Sequence, residues 1–247
     1  MPPEHEEALL PVHTVVDARR IGAFLLEELV EDGRWSSGSQ GGSFVAFDPT
    51  GHIVIGRSGS NIDPATAHDH VFGYTILNDW SARDLQRREM KVSFGPAKGK
   101  DFASTLGPVL VTADELDPYR DPDGFLDLAM VVRVNGQEIG RDLTSNMGWP
   151  DSDLVAYASR DTWVHAGDLL GTGNSGNGGC LGELWGNNGA LDPRPLQPGD
   201  VVTMTVDGIG TISNMLVEGP ETPVVSRARP RPRNRPDDAR IAAARPI

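Results

Sequence analysis

The run Val71-Phe-Gly-Tyr-Thr-Ile-Leu77 is followed at once by Asn78-Asp-Trp-Ser-Ala-Arg-Asp84, a sharp change from mostly apolar to mostly polar side chains. The aromatic and β-branched residues of the first run predict a buried strand. The second run is dense in functional groups and leads into a short helix predicted near Leu85–Glu89. Because a rigid element presents the side chains at its end to a cleft, the sequence places a candidate site where this strand stops.

The residues around this strand end are of types that bind metal ions and stabilise anions. The three lysines of the chain, Lys91, Lys98 and Lys100, fall within ten positions, whereas the remaining cationic side chains are arginines. A carboxylate such as Asp79 suits a hard divalent cation, and a nearby ammonium group stabilises a developing enolate or oxyanion. Composition alone leaves a second interpretation open, a solvated surface helix with scattered ion pairs.

Glycine and proline account for 29 and 19 of the 247 residues, which is typical of short strands joined by tight turns. Hairpins are predicted at 128–141 and 201–217, with Asn135-Gly136 and Asp207-Gly208 as their turns.

Three further elements are predicted from local patterns. Phe44–Phe47 and His52–Ile55 are predicted to pair around the turn signal Asp48-Pro-Thr-Gly51. Residues 17–33 and 151–163 are predicted as helices, the second capped by one of its first two residues. Strands outnumber helices without a regular βαβ alternation, so the fold class is mainly β or α+β, with a few short helices.

The charge distribution excludes one class of partner. Residues 1–225 carry a charge of −18 and residues 226–247 carry +5, for a net charge of −13. An acidic body repels a phosphate backbone, so we expect no nucleic-acid binding. The Arg/Pro alternation of 227–236 predicts a disordered tail.

Membrane insertion and secretion are not expected. No apolar run approaches the ~18–20 residues that span a bilayer. The segment Met1–Glu7 is acidic where a secretory signal is basic, and the single Cys180 excludes an internal disulfide framework. We therefore expect a cytoplasmic protein.

Two short motifs have plain structural interpretations. The G-x-G-x-x-G pattern at Gly171–Gly176 binds a dinucleotide only at a helix N-terminus, and the glycines that follow predict that no helix forms there. A glycine-lined loop that admits a small anionic group is the better interpretation. His68 and His70 diverge on a helical turn and are interpreted as structural, as is the Cys180 thiol.

A longer pattern is far more specific. The run Tyr74–Gln86, followed by Gly99-Lys-Asp-Phe-Ala-Ser-Thr105, resembles the signature of the fumarylacetoacetate hydrolase family. The resemblance extends over about residues 50–217 and includes Ala67–Gly73, Gly171-Thr172 and Glu183.

The resemblance implies a mixed β-sandwich or roll, a homodimer, and a divalent cation, with Mg²⁺ favoured and Mn²⁺ or Ca²⁺ as alternatives. It also implies a small 2-oxo acid or β-dicarbonyl substrate that reacts through an enolate. C–C bond hydrolysis, decarboxylation and isomerisation are the reactions that the family carries out on such substrates. It further implies three segments, an N-terminal helix and loop at 1–43 that act as a lid or a dimer contact, a catalytic domain at 44–225, and the tail at 226–247.

The resemblance also implies roles for single residues. By position, the metal-binding aspartate is Asp79 and the active-site lysine is Lys100. The remaining implied groups contact substrate or move a proton: Arg83 and Gln86 as polar contacts, Gly171 and Thr172 as the loop that holds a carboxylate or carbonyl, and Glu183 as the partner of a water-activating histidine.

One part of the family pattern is altered. The Glu-x-Glu pair that supplies further metal ligands falls on Asp48 and Thr50, so the resemblance implies Asp48 as the second carboxylate ligand. Loss of one carboxylate lowers the ligand charge on which hard-cation affinity depends. Three functions therefore stay open: a metal-dependent enzyme, a metal-independent cyclase, dehydratase or tautomerase, and a non-catalytic binding protein.

Overall fold

The computed structural model describes residues 45–46, 49–91, 93, 95–173, 181–219, 223 and 226. Several predictions lie outside these ranges, namely the segment 1–43, the ligand Asp48, Cys180 and the tail from residue 227.

The described chain is mixed α+β. Its strands are β1 (Val45–Ala46), β2 (Pro49–Ile55), β3 (Gly59–Ser60), β4 (Val71–Asp79), β5 (Ser81–Ala82), β6 (Ser104–Leu106), β7 (Val111–Thr112), β8 (Ala129–Val134), β9 (Gln137–Leu143), β10 (Trp163–Val164), β11 (Leu169–Gly171), β12 (Val201–Val206) and β13 (Gly210–Met215). Its α-helices are α1 (Arg83–Met90), α2 (Ala113–Leu116), α3 (Asp151–Ala158) and α4 (Leu181–Asn188), with 3₁₀ turns at Pro64–His70, Asp117–Tyr119 and Thr144–Asn146.

Two antiparallel sheets form the body of the protein. One has the strand order β11-β2-β4-β6, with β7 also paired to β4, and the other has the order β13-β12-β8-β9. Two short ladders, β1 with β5 and β3 with β10, lie outside these sheets. The predicted fold class is confirmed, and β4 is the strand on which the first sheet is centred.

Apolar side chains from both sheets form one core. Ile53 and Tyr74 of the first sheet belong to the same buried cluster as Val132 and Met204 of the second. Burial alternates along β12, as expected for a strand with one face on the core. Trp80, directly after β4, is fully buried, and its Nε1 donates a hydrogen bond to Thr105 Oγ1 at 3.0 Å.

The hairpin predictions are confirmed, but the predicted strand pair within 44–55 is wrong. β8 pairs with β9 and β12 with β13, as the two turn signals indicate. β2 instead begins at Pro49 and pairs with β4 and β11, while β1 pairs with β5. The long pairing of β2 with a central buried strand outweighs the local turn preference of its first residues.

The helix predicted at 151–163 is shorter than expected. α3 ends at Ala158, and the chain continues into β10 at Trp163. Its N-cap is Pro150, not Asp151 or Ser152. The Asp151 carboxylate accepts hydrogen bonds from two distant side chains, so it is not available as a local cap. Within the described ranges, no helix is long and apolar enough to cross a membrane.

A substitution at Gly73 can be used to test how closely β4 and β7 pack. A Cβ atom at this position would lie 2.1 Å from the carbonyl oxygen of Val111 in β7. Gly73→Ala is therefore expected to lower the free energy of unfolding by about 2–3 kcal/mol in urea denaturation. Gly186→Ala in α4 is the control, because no atom lies within 4 Å of its added methyl group. Equal effects of the two substitutions would contradict this packing.

Candidate active site

Asp79 is the last residue of β4 and lies on the sheet face that points away from the common core. Successive side chains of a strand alternate between faces, so Asp79 shares its face with Leu77 and Thr75. Tyr74 and Ile76 occupy the opposite face and are buried in the core. The Asp79 side chain is 36% exposed, so it is open to a small ligand.

The structure brings the predicted lysine into contact with this aspartate. Lys100 Nζ donates a hydrogen bond to Asp79 Oδ2 at 2.6 Å, and the lysine side chain is only 21% exposed. Partial burial strengthens the attraction between the two charges, because water screens it less than at an open surface. An ammonium group and a carboxylate therefore face one small region at the end of β4.

The two predicted substrate contacts lie on the next element. Arg83 and Gln86 are on α1, and Arg83 Nη1 donates a hydrogen bond to Gln86 Oε1 at 3.0 Å. The loop that carries Lys100 packs directly on this helix, since a Cβ on Gly99 would lie 2.7 Å from the backbone nitrogen of Gln86. Arg83 and Gln86 therefore lie on the helix that contacts the loop of Lys100.

Two hydrogen bonds, one from a side chain and one from the backbone, hold the segment between β4 and α1. Ser81 Oγ donates to the carbonyl oxygen of Asp79 at 3.0 Å. The Ala82 N–H donates to the carbonyl oxygen of Gly99 at 2.7 Å. The first contact is within this segment, and the second joins the segment to the lysine loop.

Asp84 is a buried carboxyl next to the site. It is 4% exposed, and its Oδ1 has no hydrogen-bond partner within the described part of the chain. Burial raises the pKa of Asp84 to about 6, although hydrogen bonds from the backbone N–H groups of Leu85 and Asp84 oppose the rise.

Of the predicted loop residues, Gly171 lies on another strand of the same sheet and Thr172 directly follows it. Gly171 ends β11 and pairs with His52 of β2. Thr172 lines a cavity of about 40 Å³ together with Tyr74 and Asp151. Neither Asp79 nor Lys100 lines this cavity.

Two other residues that line this cavity, Tyr74 and Asp151, belong to a polar cluster that the sequence did not predict. Tyr74 donates a short hydrogen bond to Asp151, and Arg120 Nη2 donates to Tyr74 Oη at 2.6 Å and to Asp151 Oδ2 at 2.8 Å. Burial and the adjacent carboxylate raise the pKa of Tyr74 well above its ordinary value, so the phenol stays neutral. Burial opposes the charge on Arg120, but Asp151 more than compensates and raises the pKa of the guanidinium.

Glu183 lies in the first turn of α4 and is half-buried. The prediction that the surrounding glycines prevent a helix is wrong. Leu181 is buried in the core and Trp185 Nε1 donates to the carbonyl oxygen of Pro193 at 2.5 Å, so tertiary packing stabilises a helix of poor intrinsic propensity. The structure thus places Glu183 on a different element from Asp79, Arg83, Gln86 and Lys100.

Only one of the two predicted metal ligands, Asp79, lies within the described residues. Asp79 is a suitable oxygen ligand, but no group of three or more His, Cys, Asp or Glu residues converges anywhere in the described ranges. His70 Nδ1 lies 2.8 Å from the carbonyl oxygen of Arg57, and His68 contacts Arg120 and Asp117, which agrees with their structural interpretation. Asp48, the second predicted ligand, lies outside the described residues.

A larger cavity lies elsewhere on the surface. It has a volume of about 830 Å³ and is lined, among others, by the exposed aromatic residues Trp149, which precedes α3, and Tyr157 on α3. None of the predicted site residues lines it. It is therefore a separate feature from the Asp79–Lys100 pair.

Comparison with known proteins establishes the family. Residues 52–217, about two thirds of the chain, match the family model described as fumarylacetoacetate (FAA) hydrolase C-terminal. The chain belongs to the fumarylacetoacetate hydrolase family, which confirms the resemblance.

Two curated relatives are both named oxaloacetate tautomerases. Oxaloacetate tautomerase YisK of Bacillus subtilis is 36% identical over 165 residues, covering 66% of this chain and 49% of the relative. Oxaloacetate tautomerase fahd2, mitochondrial, of Xenopus laevis is 35% identical over 166 residues, covering 67% and 47%. The chain thus spans about half the length of the curated relatives that it matches.

Two solved structures share the fold. The 5-carboxymethyl-2-hydroxymuconate delta-isomerase of Mycobacterium smegmatis matches with a TM-score of 0.56 and 34% identity, over 72% of this chain and 60% of that one. Fumarylpyruvate hydrolase of Pseudomonas aeruginosa, in complex with Mn²⁺ and pyruvate, matches with a TM-score of 0.57 and 26% identity, over 74% and 70%.

The raised pKa of Asp84 predicts a pH-dependent stability. Between pH 3.8, the ordinary pKa of this carboxyl, and about pH 6, Asp84 ionises in the unfolded chain but stays protonated in the folded protein. Burial of Asp84 therefore destabilises the fold increasingly as the pH rises across that window. Asp84→Asn is expected to raise the free energy of unfolding by about 1–3 kcal/mol at pH 8, with the gain vanishing below about pH 4. Urea denaturation across this range measures it, with the exposed Asp123→Asn as control. A gain of equal size at every pH would show that ionisation is not its cause.

Proposed function

We propose that this chain is an enzyme that forms an enolate from a small 2-oxo acid or β-dicarbonyl compound. The observation that carries the proposal is the contact of Lys100 Nζ with Asp79 Oδ2 at 2.6 Å, at the open end of β4. Removal of a proton next to a carbonyl group leaves negative charge on the carbonyl oxygen. A fixed, partly buried ammonium group lowers the energy of that charge.

The neighbouring groups suit an acidic substrate. Arg83 and Gln86 lie on the helix against which the lysine loop packs, and they would contact a substrate carboxylate or oxo group. Gly171 and Thr172 are proposed to hold the far end of the substrate, and Glu183 to move the proton. The roles of Gly171, Thr172 and Glu183 rest on the resemblance to the family.

A divalent cation is part of the proposal. Asp79, with Asp48 as the second carboxylate, would hold Mg²⁺, Mn²⁺ or Ca²⁺. A cation bound there would polarise the oxo group of the substrate. The Mn²⁺ and pyruvate complex of the related fumarylpyruvate hydrolase supports both the metal and the substrate class.

Among the reactions open to an enolate, we propose keto–enol tautomerisation of an oxaloacetate-like acid. Two relatives are oxaloacetate tautomerases and a structural neighbour is an isomerase, which supports proton transfer without bond cleavage. Hydrolysis or decarboxylation of the same acid would instead cleave a C–C bond and give smaller products. Homodimer formation and a cytoplasmic location stay predictions.

A metal-independent enzyme is the second candidate. Lys100 already neutralises Asp79, and the described residues contain no cluster of three metal-binding side chains. In this alternative, Lys100, Arg83 and Asp79 would transfer the proton in a cyclisation, dehydration or tautomerisation.

The charged pair predicts the effect of two substitutions on turnover. Lys100→Met and Asp79→Asn are each expected to lower kcat/KM for oxaloacetate tautomerisation by about 10²–10³, the range seen when one group that stabilises an oxyanion is removed. Enol absorbance measures the rate. Lys98→Met and Asp101→Asn are matched controls from the same loop, because these two exposed residues form an ion pair with each other. Full activity of Lys100→Met on each oxo acid turned over by the unaltered chain would refute the proposal.

Metal binding is tested separately from turnover. Titration of Mn²⁺ followed by electron paramagnetic resonance is expected to show one site, with the Kd raised at least about tenfold in Asp79→Asn and in Asp48→Asn, since hard-cation affinity depends on ligand charge. Asp101→Asn is expected to leave the Kd unchanged. Turnover that persists in a chain without bound metal would favour the metal-independent candidate.

A further inference from the structure

Glu89 makes an unusual set of contacts close to the site. It lies near the end of α1, and its carboxylate accepts three hydrogen bonds from consecutive backbone N–H groups. Glu89 Oε2 accepts from Ala97 at 2.7 Å and from Gly99 at 3.1 Å, while Oε1 accepts from Lys98 at 2.8 Å. Both carboxylate oxygens are thus used by a single turn of the following loop.

The three hydrogen bonds to Glu89 are of a type that is stronger than an ordinary backbone hydrogen bond. Successive N–H groups that converge on one point form a concavity that binds an anion, and hydrogen bonds to an ionised carboxylate are stronger than those between neutral groups. Burial opposes the charge on Glu89, but the three N–H groups outweigh it and lower the pKa of the carboxyl. The side chain is therefore an anion at neutral pH and binds the turn continuously.

The turn that Glu89 binds leads directly into Lys100. The Lys100 N–H donates to the carbonyl oxygen of Ala97 at 3.1 Å, so the backbone of the lysine is part of the same turn. Gly99 lies against the backbone of Gln86, which leaves no room for the turn to move towards the helix. Lys98, in contrast, points outward with a side chain that is 68% exposed.

We propose that Glu89 is a positioning residue that holds the ammonium group of Lys100 at Asp79. A lysine side chain has several rotatable bonds and loses much conformational freedom when it is fixed. Its amine stays 2.6 Å from Asp79 only if the backbone that carries it is also fixed. Glu89 supplies this restraint through the turn, without touching the reacting atoms. The catalytic importance of the restraint rests on the function proposed above.

The position of the amine is measured first, without reference to turnover. The folded full-length chain is treated with a limiting amount of an acetylating ester, and peptide mass spectrometry gives the acetylation rate of Lys100 relative to Lys98. Glu89→Ala is expected to raise this ratio at least about tenfold, the change that follows from loss of one hydrogen bond to a charged group. Glu89→Gln, which keeps the shape but loses the charge, is expected to give a smaller rise. Lys91 is a second exposed reference in the same digests.

Glu115→Ala is the matched control, because Glu115 is an exposed glutamate on α2. It is expected to leave the ratio unchanged. Thermal melting identifies variants that fold, and Glu89→Asp, with a carboxylate one methylene shorter, serves if Glu89→Ala does not. An unchanged Lys100 to Lys98 ratio in folded Glu89→Ala or Glu89→Asp would overturn the proposal.

Turnover is measured second. Glu89→Ala is expected to lower kcat for the oxo acid by about 10²-fold with a smaller change in KM, as a displacement of about 1 Å does for a catalytic group. If the acetylation ratio rises and kcat does not fall, Glu89 positions Lys100 but the proposed role of Lys100 is wrong. If the ratio is unchanged, the positioning role fails whatever the effect of Lys100→Met.

Discussion

The contact between the Lys100 ammonium and the Asp79 carboxylate depends on the way in which β4 ends. On its core face the strand carries buried Tyr74, Ile76 and Asn78, and Asp79 follows, partly exposed, on the other face. Trp80 then enters the core and fixes the direction of the chain. Because buried Trp80 anchors the strand end, the carboxylate is presented beside the loop of Lys100, whose amine contacts it.

The two faces of β4 carry polar groups for different purposes. On the core face, Tyr74 joins Arg120 and Asp151 in a buried cluster whose charges and hydroxyl group are mutually satisfied. Such a cluster adds little net stability but is costly to disrupt, because any one loss leaves a buried charge unpaired. On the outer face, the Asp79–Lys100 pair stays partly open to solvent, so its charges are available to a ligand.

The resemblance to the family places Asp48 and Thr50 at the two Glu-x-Glu positions that supply metal ligands. One carboxylate in place of two would lower the ligand charge of a metal site that included Asp79. An ammonium group at Asp79 reduces it further. A weaker metal site with an intact lysine is compatible with proton transfer to and from an enolate, which demands less activation of water than hydrolysis does.

The sequence alone determined the elements whose residues are close together in the chain. The β4 strand, the hairpins at Asn135-Gly136 and Asp207-Gly208, and the family signature were all readable from local patterns. Only the tertiary structure decided the partners of β2, the existence of α4, and the contacts made by Glu89 and Arg120. These depend on burial and on hydrogen bonds between segments that meet only after folding, and such contacts override local propensity. The pairing of Lys100 with Asp79 lies between the two cases, because the residue types could be read from the sequence and their distance could not.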